Sequence, residues 1–225
     1  LRDALRDRNT RGLILRINSP GGSPVQAGII NDEIRRLRAA HDKPIYAVVE
    51  EACASGAYYI AAAADDIYVD KASLVGSIGV LMSSFGFVDA MQKMGVERRL
   101  LTAGDNKGFG DPFSPMSEQQ RHYAQDMLER IHQQFVDVVK QGRGDRIKDD
   151  PELFSGLFWT GEKAIALGLA DGYGSVDSVA RDVVGEERLV DYSNKRSVVE
   201  RMARRFGAAM GEGALRAMQV LPVLR

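Results

Sequence analysis

Residues 44–66 read P-I-Y-A-V-V-E-E-A-C-A-S-G-A-Y-Y-I-A-A-A-A-D-D, and they join two kinds of local structure. The first part, Pro44 to Val49, is rich in β-branched residues and predicts a strand. The last part, Tyr58 to Ala64, is rich in alanine and predicts a helix. Ser55 lies between them. Because a strand followed closely by a helix is the building unit of α/β folds, this stretch sets the expected fold class.

The same alternation continues along the chain. We predict further strands at 12–17, 67–69, 78–82 and 96–102, and further helices at 29–40, 88–94, 117–140, 161–169 and 175–184. Ser117 and Gln120, at the start of the longest helix, have the spacing of a capping box. Alternating strands and helices favour parallel strands joined by crossover helices, so we expect an α/β domain.

The composition excludes several classes of protein. The 225 residues are 44% hydrophobic with a formal net charge of −1, which suits a globular domain and gives no overall attraction to nucleic acid. A single cysteine excludes an intrachain disulfide and a multi-cysteine zinc site. No phosphate-binding loop or metal-ligand spacing is present, so we predict no cofactor and no metal.

Membrane attachment is expected to depend on a segment upstream of this sequence. No run of about 18 apolar residues that could span a bilayer is present. The chain opens with L-R-D-A-L and lacks an initiator methionine. We therefore expect any targeting or anchoring segment to lie outside the sequence given.

The end of the chain differs in composition from the rest. Residues 192–225 carry seven Lys or Arg against two Glu, and Val198, Met202 and Phe206 recur every fourth residue. This pattern predicts a basic amphipathic helical tail after a main domain at 1–191. Two roles stay open for the tail: packing as an ordinary helix, or contact with another protomer or a membrane surface.

Ser55 has two possible roles at its strand–helix junction. A serine there is often only a helix N-cap. As a nucleophile, it would have outward-facing backbone N–H groups and the positive end of a helix beside it, and Gly56 would let a substrate approach closely. The glycine loop, residues 18–22 (N-S-P-G-G), is either a simple turn or a second backbone donor for an oxyanion.

A serine nucleophile also needs a base. His41 lies at a helix-to-strand turn, and His122 and His132 are expected to be solvated residues of the long helix. Lys107 lies in the glycine-flanked stretch T-A-G-D-N-K-G, and a lysine can serve as base when burial or a cationic neighbour keeps it uncharged. Cys53 is expected to pack in the core as a small hydrophobic residue.

Five motifs occur in one order along residues 10–185. They are I-N-S-P-G-G (17–22), A-S-G-A-Y-Y-I-A-A-A-A-D (54–65), L-V-G-S-I-G-V (74–80), T-A-G-D-N-K (102–107) and W-T-G-E-K-A-I-A-L-G-L-A-D (159–171). Together they resemble the signal peptide peptidase A (SppA) family of Ser–Lys serine peptidases, in its short single-repeat form. One departure from the family is the loop G-F-G-D-P-F after Lys107, which is expected either to shift that lysine or to shape substrate access.

The resemblance implies a role for each matching residue. Ser55 aligns with the catalytic nucleophile and Lys107 with the general base, while Ser77 aligns with the serine that orients the lysine. The N–H groups of Gly56 and Gly22 would form the oxyanion hole.

The resemblance also implies a fold, an assembly and a location. The fold is the Clp protease/crotonase-like spiral of βαβ units, with residues 1–191 as the peptidase domain. Family members form homo-oligomeric rings in which neighbouring protomers can share an active site. They cleave signal-peptide remnants and other hydrophobic peptides on the periplasmic or extracytoplasmic side of the bacterial cytoplasmic membrane.

Other functions compete with this prediction. A Ser-His-Asp peptidase of the Clp type would place a histidine about 25 residues after the serine, where this chain has Gly79-Val80-Leu81. A crotonase-type enzyme would use the glycine loops to bind a coenzyme A thioester. A non-enzymatic alternative is a catalytically weak or inactive homologue that acts as a scaffold or partner for membrane proteins.

Overall fold

A computed structural model describes residues 1–193 of the chain. Leu1–Leu189 form one compact unit, and Val190–Arg225 form a second unit, of which residues 190–193 are described. The helical tail predicted at 192–225 lies almost entirely outside the described residues. The predicted domain boundary at 191/192 stays a prediction.

The described chain alternates strands and helices. The strands are β1 (Leu13–Ser19), β2 (Ile45–Ala54), β3 (Asp66–Val69), β4 (Leu74–Gly76), β5 (Phe158–Thr160) and β6 (Gly172–Tyr173). The α-helices are α1 (Arg2–Arg6), α2 (Pro24–Ala40), α3 (Gly56–Ala61), α4 (Val88–Met94), α5 (Glu118–Arg143), α6 (Gly161–Ala166) and α7 (Val176–Ser178). A 3₁₀ turn (Gly144–Arg146) follows α5, and a π-helical turn (Val179–Val184) follows α7.

Strand β2 is the centre of a mixed sheet. It pairs in parallel with β1, with β3 over residues 46–48 and with β4 over residues 52–54. Strand β6 adds in parallel to β3, whereas β5 adds antiparallel to β4. Because β3 and β4 pair with different halves of β2, the sheet curls. The predicted Clp protease-like α/β fold is confirmed.

The core lies where α3 and α5 pack on the sheet. All four alanines from Ala61 to Ala64 are buried, and Phe135 and Val139 of α5 pack in one cluster with Ala61, Ala62 and Ala64. A Cβ added to Gly142 would lie 1.9 Å from the carbonyl oxygen of Ala62, so only glycine allows α5 to approach this closely. The alanine run therefore serves close packing around the strand–helix junction.

A partly buried cluster of charged residues, the ion cluster, packs beside the core. Arg143, only 1% exposed, donates two hydrogen bonds to Asp171 and a third to the carbonyl of Gly168. Burial by itself would raise the pKa of Asp171. Hydrogen bonds from Arg143 and the Ile67 amide, with the charges of Arg143 and Arg146, outweigh that effect and hold the pKa below its usual value. The sequence did not indicate a buried arginine.

Several element boundaries differ from the sequence predictions. Helix α2 begins five residues earlier than predicted, because the Ser23 side chain accepts a hydrogen bond from the Gln26 amide and Pro24 suits the first turn. Strand β2 extends to Ala54 through two glutamates. The capping box of Ser117 and Gln120 is confirmed at the start of α5.

Two predicted strands are wrong. The chain pairs at Leu74–Gly76 instead of at 78–82, and residues 96–102 form no strand within the described chain. Both mistaken segments border or lie in residues 81–116, here called the outer segment, of which no residue is buried. Apolar residues there suggested strands, but no sheet edge in the described chain pairs with them.

Candidate active site

Ser55 occupies a strained turn between β2 and α3. Its backbone has φ 51° and ψ −126°, a conformation that L-residues other than glycine rarely adopt. Such a conformation costs about 1–3 kcal/mol and persists only where the surroundings enforce it. Here the Ser55 amide donates a hydrogen bond of 2.8 Å to the carbonyl of Gly76 at the end of β4. The serine is therefore held in place by the neighbouring strand.

The N-cap alternative for Ser55 is not supported. The side chains of Ser23 and Ser117, which cap α2 and α5, accept hydrogen bonds from the amides of Gln26 and Gln120. The Ser55 side chain makes no such bond to α3. Its hydroxyl has no hydrogen-bond partner anywhere in the described chain, so it is free to act on another molecule.

The glycine loop packs directly against the Ser55 turn. Gly21 has φ +114°, and a Cβ added to it would lie 2.7 Å from the Cβ of Ser55. A Cβ on Gly56 would lie 3.2 Å from the nitrogen of Gly22. Neither the Gly22 amide nor the Gly56 amide donates a hydrogen bond within residues 1–193. Two unused backbone donors therefore lie close together beside the serine.

A groove of about 360 Å³ opens beside this pair of amides. Its lining includes Ala27 and Ile30 of α2 and Ala57 and Ile60 of α3. These four side chains are small or apolar, and the charged side chain of Arg16 also lines the groove. The groove therefore favours an apolar group next to the possible oxyanion site.

Ser77 lies in a second strained turn, linked to the first. Its φ is also 51°, and its amide donates a 2.7 Å hydrogen bond to the carbonyl of Leu157. The residue before it, Gly76, provides the carbonyl that holds Ser55. One short peptide segment thus fixes the backbones of both serines.

Lys107 takes no part in these hydrogen bonds and belongs to the outer segment. Its amide donates to the carbonyl of Gly104 in a turn, and its side chain is exposed. Within the described chain it forms no hydrogen bond or ion pair with Ser55 or Ser77. A single copy of the chain therefore brings together Ser55, Gly56, Gly22 and Ser77, but does not join Lys107 to them.

His132 differs from its predicted role. It was expected to be a solvated helix residue, yet it is half-buried and its Nε2 lies 3.0 Å from the carbonyl oxygen of Ile78. Since that oxygen only accepts hydrogen bonds, Nε2 must carry a proton and cannot serve as a base there. His122 is exposed, as predicted, and His41 ends α2 at the helix-to-strand turn.

Cys53 packs in the core, as predicted. Its side chain is 0% exposed, and burial raises the pKa of its thiol. A thiol that is both inaccessible and hard to ionise is a poor nucleophile. The prediction that Cys53 is a core residue is confirmed.

Sequence reasoning missed the support provided by β5 and by Leu157, the residue just before it. Leu157 accepts the Ser77 amide, and a Cβ on Gly76 would lie 3.1 Å from Cδ1 of Trp159. Among the described residues, the Trp159 indole nitrogen is the one buried side-chain nitrogen or oxygen without a hydrogen bond. The W-T-G motif was quoted for the resemblance, but nothing local indicated that it pairs with the segment before Ser77.

The described residues contain neither a metal-binding cluster nor a membrane-spanning helix. Residues 1–193 contain no group of three or more His, Cys, Asp or Glu that could hold a metal ion. Within the same range, no helix has the length and apolar composition that crossing a bilayer would take.

Comparisons with known proteins place the chain in a family. The sequence profile of peptidase family S49 matches residues 38–189. The chain is 46% identical over 187 residues to part of a Brucella melitensis protein named Na⁺/H⁺ antiporter NhaA, covering 83% of this chain and 25% of that protein. It is 34% identical over 194 residues to a candidate protease of Methanocaldococcus jannaschii, covering 86% and 61%.

A third relative carries the name suggested by the motifs. The chain is 30% identical over 185 residues to a candidate signal peptide peptidase SppA of Enterococcus faecium, covering 82% of this chain and 54% of that protein. The chain therefore spans between a quarter and about three fifths of the length of these relatives. The family resemblance read from the five motifs is confirmed: the chain belongs to peptidase family S49, the family of SppA-type peptidases.

Proposed function

We propose that this chain is a serine endopeptidase in which Ser55 is the nucleophile and Lys107 the general base. The observation that carries the proposal is the Ser55 turn. It holds a serine with an unpaired hydroxyl in a strained conformation beside the unused amides of Gly22 and Gly56. Membership of peptidase family S49 supports the same reaction class.

The proposed reaction has two stages. An uncharged amine at Lys107 takes the Ser55 proton while Oγ attacks the scissile carbonyl, and the amides of Gly22 and Gly56 stabilise the oxyanion. The protonated amine then gives its proton to the leaving nitrogen as the C–N bond breaks. Water attacks the resulting ester with Lys107 again as base, which releases the acid and regenerates Ser55.

We propose that Lys107 reaches Ser55 within a homo-oligomer, in line with the predicted ring. In one copy, Lys107 is exposed and forms no hydrogen bond or ion pair with Ser55 or Ser77. The outer segment that carries it exposes large apolar side chains, among them Phe85, Met94 and Leu101. An exposed apolar surface of this kind favours association with another chain.

The proposed substrates are hydrophobic peptide segments, including signal-peptide remnants. The small and apolar side chains of the groove, Ala27, Ile30, Ala57 and Ile60, suit an apolar substrate residue. The similarity to a candidate SppA supports this substrate class. We also propose that the domain works at the outer face of the bacterial cytoplasmic membrane, where such remnants arise.

The test is a pair of inactive variants and their mixture. Ser55→Ala and Lys107→Ala should each lower cleavage of a fluorogenic signal-peptide substrate by about a thousandfold or more. Lys93→Ala, another exposed lysine of the outer segment, serves as control and should keep parental activity. Parental activity in either inactive variant would exclude the assigned role.

Mixing the two variants tests the shared active site. If Lys107 serves the Ser55 of a neighbour, Ser55→Ala and Lys107→Ala assembled together should regain part of the activity that each lacks. If both residues come from one copy, the mixed assembly stays inactive. The first outcome supports pairing between protomers, and the second contradicts it.

A second candidate function is a non-catalytic domain that partners a membrane protein. The observation in its favour is the 46% identity to a quarter of a protein named Na⁺/H⁺ antiporter. A fluorophosphonate probe, which reacts with activated serines, separates the two candidates. Labelling that Ser55→Ala abolishes supports the peptidase, and absence of labelling in the assembled protein supports the partner role.

A further inference from the structure

The segment from Gly76 to Gly79 is held at successive backbone groups. The Ser77 amide donates to Leu157 at 2.7 Å, and the Gly79 amide donates to the Ser77 carbonyl at 2.9 Å. The carbonyl of Ile78 accepts a 3.0 Å hydrogen bond from Nε2 of His132. The conformation of Ser77 is thus fixed on both sides of its Cα.

These bonds oppose a tendency of the segment to relax. A serine with φ 51° is strained by about 1–3 kcal/mol, so it keeps that conformation only while its surroundings impose it. The bond to Leu157 reaches the residue just before the short edge strand β5, and the bond from Gly79 is local. The bond from His132 comes from elsewhere in the chain, 54 residues along the sequence from Ile78.

His132 is well placed to impose a conformation. It lies on α5, which Phe135 and Val139 anchor in the core. The side chain of Ile78 is 0% exposed in the same cluster, so the peptide that His132 contacts cannot swing freely into solvent. A rigid helix therefore holds the carbonyl next to Ser77.

The contact between His132 and Ile78 is a hydrogen bond that fixes a peptide group and transfers no proton. The Ile78 carbonyl oxygen has no proton to give, so Nε2 of His132 must be the donor. Both the neutral ring with a proton on Nε2 and the charged ring can donate in this way. The contact therefore survives changes in the protonation of His132, and it does not require the histidine to exchange a proton with substrate.

We propose that His132 is a positioning residue for Ser77, and through Ser77 for the amine that activates Ser55. This inference rests on the proposed Ser55–Lys107 mechanism, in which Ser77 orients the lysine. Without the His132 bond, the buried Ile78 side chain stays in place but its peptide group is free to rotate, and the Ser77 hydroxyl then turns away from the lysine. The groove walls on α2 and α3 are separate from this contact, so substrate binding is little affected.

The first test is the effect of His132 variants on cleavage of the fluorogenic peptide. His132→Leu removes the donor at similar volume and should lower kcat by about tenfold to a hundredfold, with KM within about twofold. His132→Gln offers an amide donor on a side chain of similar reach and should recover most of the loss. His122→Leu, an exposed position on the same helix, is the matched control and should leave kcat unchanged.

The second test asks whether His132 acts through Ser77. Ser77→Ala should itself lower kcat, and adding His132→Leu should lower it no further, because both changes remove the same orienting contact. Losses that multiply would overturn the proposal. If Lys107 is the base, kcat should fall as the pH drops and the amine becomes protonated, and that fall should persist in His132→Leu because the lysine is still present. If that fall disappears, the histidine is itself a base and the proposal is wrong.

The outcomes separate this inference from the proposed function. If Ser55→Ala keeps parental activity, the serine peptidase mechanism fails as a whole. If Ser55→Ala is inactive but His132→Leu has parental kcat, only the positioning role fails. Thermal unfolding shows whether His132→Leu folds; if it does not, His132→Asn, with a shorter amide side chain, replaces it in the same cycle with the same expected non-additivity.

Discussion

The Ser55 turn and the outer segment carry the two proposed partners of one reaction, and they are built in opposite ways. The chain around Ser55 is crowded: Gly21, Gly56 and Gly76 lie where a Cβ would meet neighbouring atoms within 3.3 Å. The outer segment, residues 81–116, contains no buried residue, and its Leu101 is 96% exposed.

This difference in packing indicates which residues of the proposed site a single copy of the chain can place. Ser55, the amides of Gly22 and Gly56, and Ser77 are placed by packing inside one chain, so one copy is enough to fix their positions. Lys107 lies on a surface that one copy leaves exposed, and in the proposed mechanism assembly brings it to Ser55. We therefore expect substitutions near Ser55 to act on turnover directly, and substitutions in the outer segment to act on assembly.

The largest effect is expected at Gly21. Gly21→Ala forces a Cβ to within 2.7 Å of the Cβ of Ser55 at a φ of +114°, and it should lower kcat by about a thousandfold by displacing the oxyanion donors. Gly95→Ala in the outer segment is the matched control, with φ +67° and no atom within 4 Å of the added Cβ. It should cost about 1 kcal/mol of stability and leave kcat unchanged. Equal losses in the two variants would contradict the contrast drawn here.

The next effect tests the core on which the Ser55 turn rests. Asp171→Asn leaves the buried Arg143 without its anionic partner and should lower the free energy of unfolding by roughly 3 kcal/mol. Denaturant unfolding of parent and variant measures the difference. A loss below about 1 kcal/mol would mean that the ion cluster contributes little to the free energy of unfolding.

The same aspartate predicts a pH dependence of stability. The pKa of Asp171 is lower in the folded protein than in the unfolded chain, so its contribution is complete above the unfolded pKa of about 3.9 and is lost as the pH falls through the folded pKa. The pKa of Asp66 is raised, mainly by burial, and acts in the opposite direction. Below about pH 4, the parent should therefore lose its advantage over Asp171→Asn in thermal unfolding; an unchanged gap would contradict this sign.

A smaller effect is expected from the exposed apolar surface. Leu101→Asp should weaken self-association about tenfold while leaving the unfolding of the monomer unchanged, because an exposed leucine contributes little to one copy. Sedimentation equilibrium measures the association. Gln92→Asp adds the same charge to the outer segment without removing an apolar side chain, so it should have the lesser effect. A parental association constant for Leu101→Asp would remove this surface from the proposed interface.

The smallest effect is expected at Cys53, two residues before the nucleophile. Cys53→Ala should cost about 1 kcal/mol of stability, since it removes one buried sulfur, and should leave kcat unchanged. Peptide cleavage and thermal unfolding check both values. A large fall in kcat without unfolding would mean that the Cys53 thiol takes part in the reaction, contrary to its assignment as a core residue.

Much of the fold was predictable, because its signals are local. The β-branched run before Ser55, the alanine run after it and the capping box at Ser117 each predict an element from neighbouring residues. The predictions failed for segments 78–82 and 96–102, where apolar residues have no pairing strand in the described chain. They also missed β5 and β6, because a strand of two or three residues is too short to show an alternation of apolar and polar residues.

The sequence by itself determined the family, the α/β alternation and the identity of the residues proposed for the chemistry, since ordered motifs and residue types can be read along the chain. Only the tertiary structure decided that Ser55 is strained and lacks an N-cap bond, that the Gly22 and Gly56 amides lie together, and that His132 holds the peptide next to Ser77. These features depend on contacts between residues far apart in sequence, and no local pattern encodes them. For the same reason, the proposed pairing of Lys107 with Ser55 depends on surfaces of the folded chain rather than on the motif that contains the lysine.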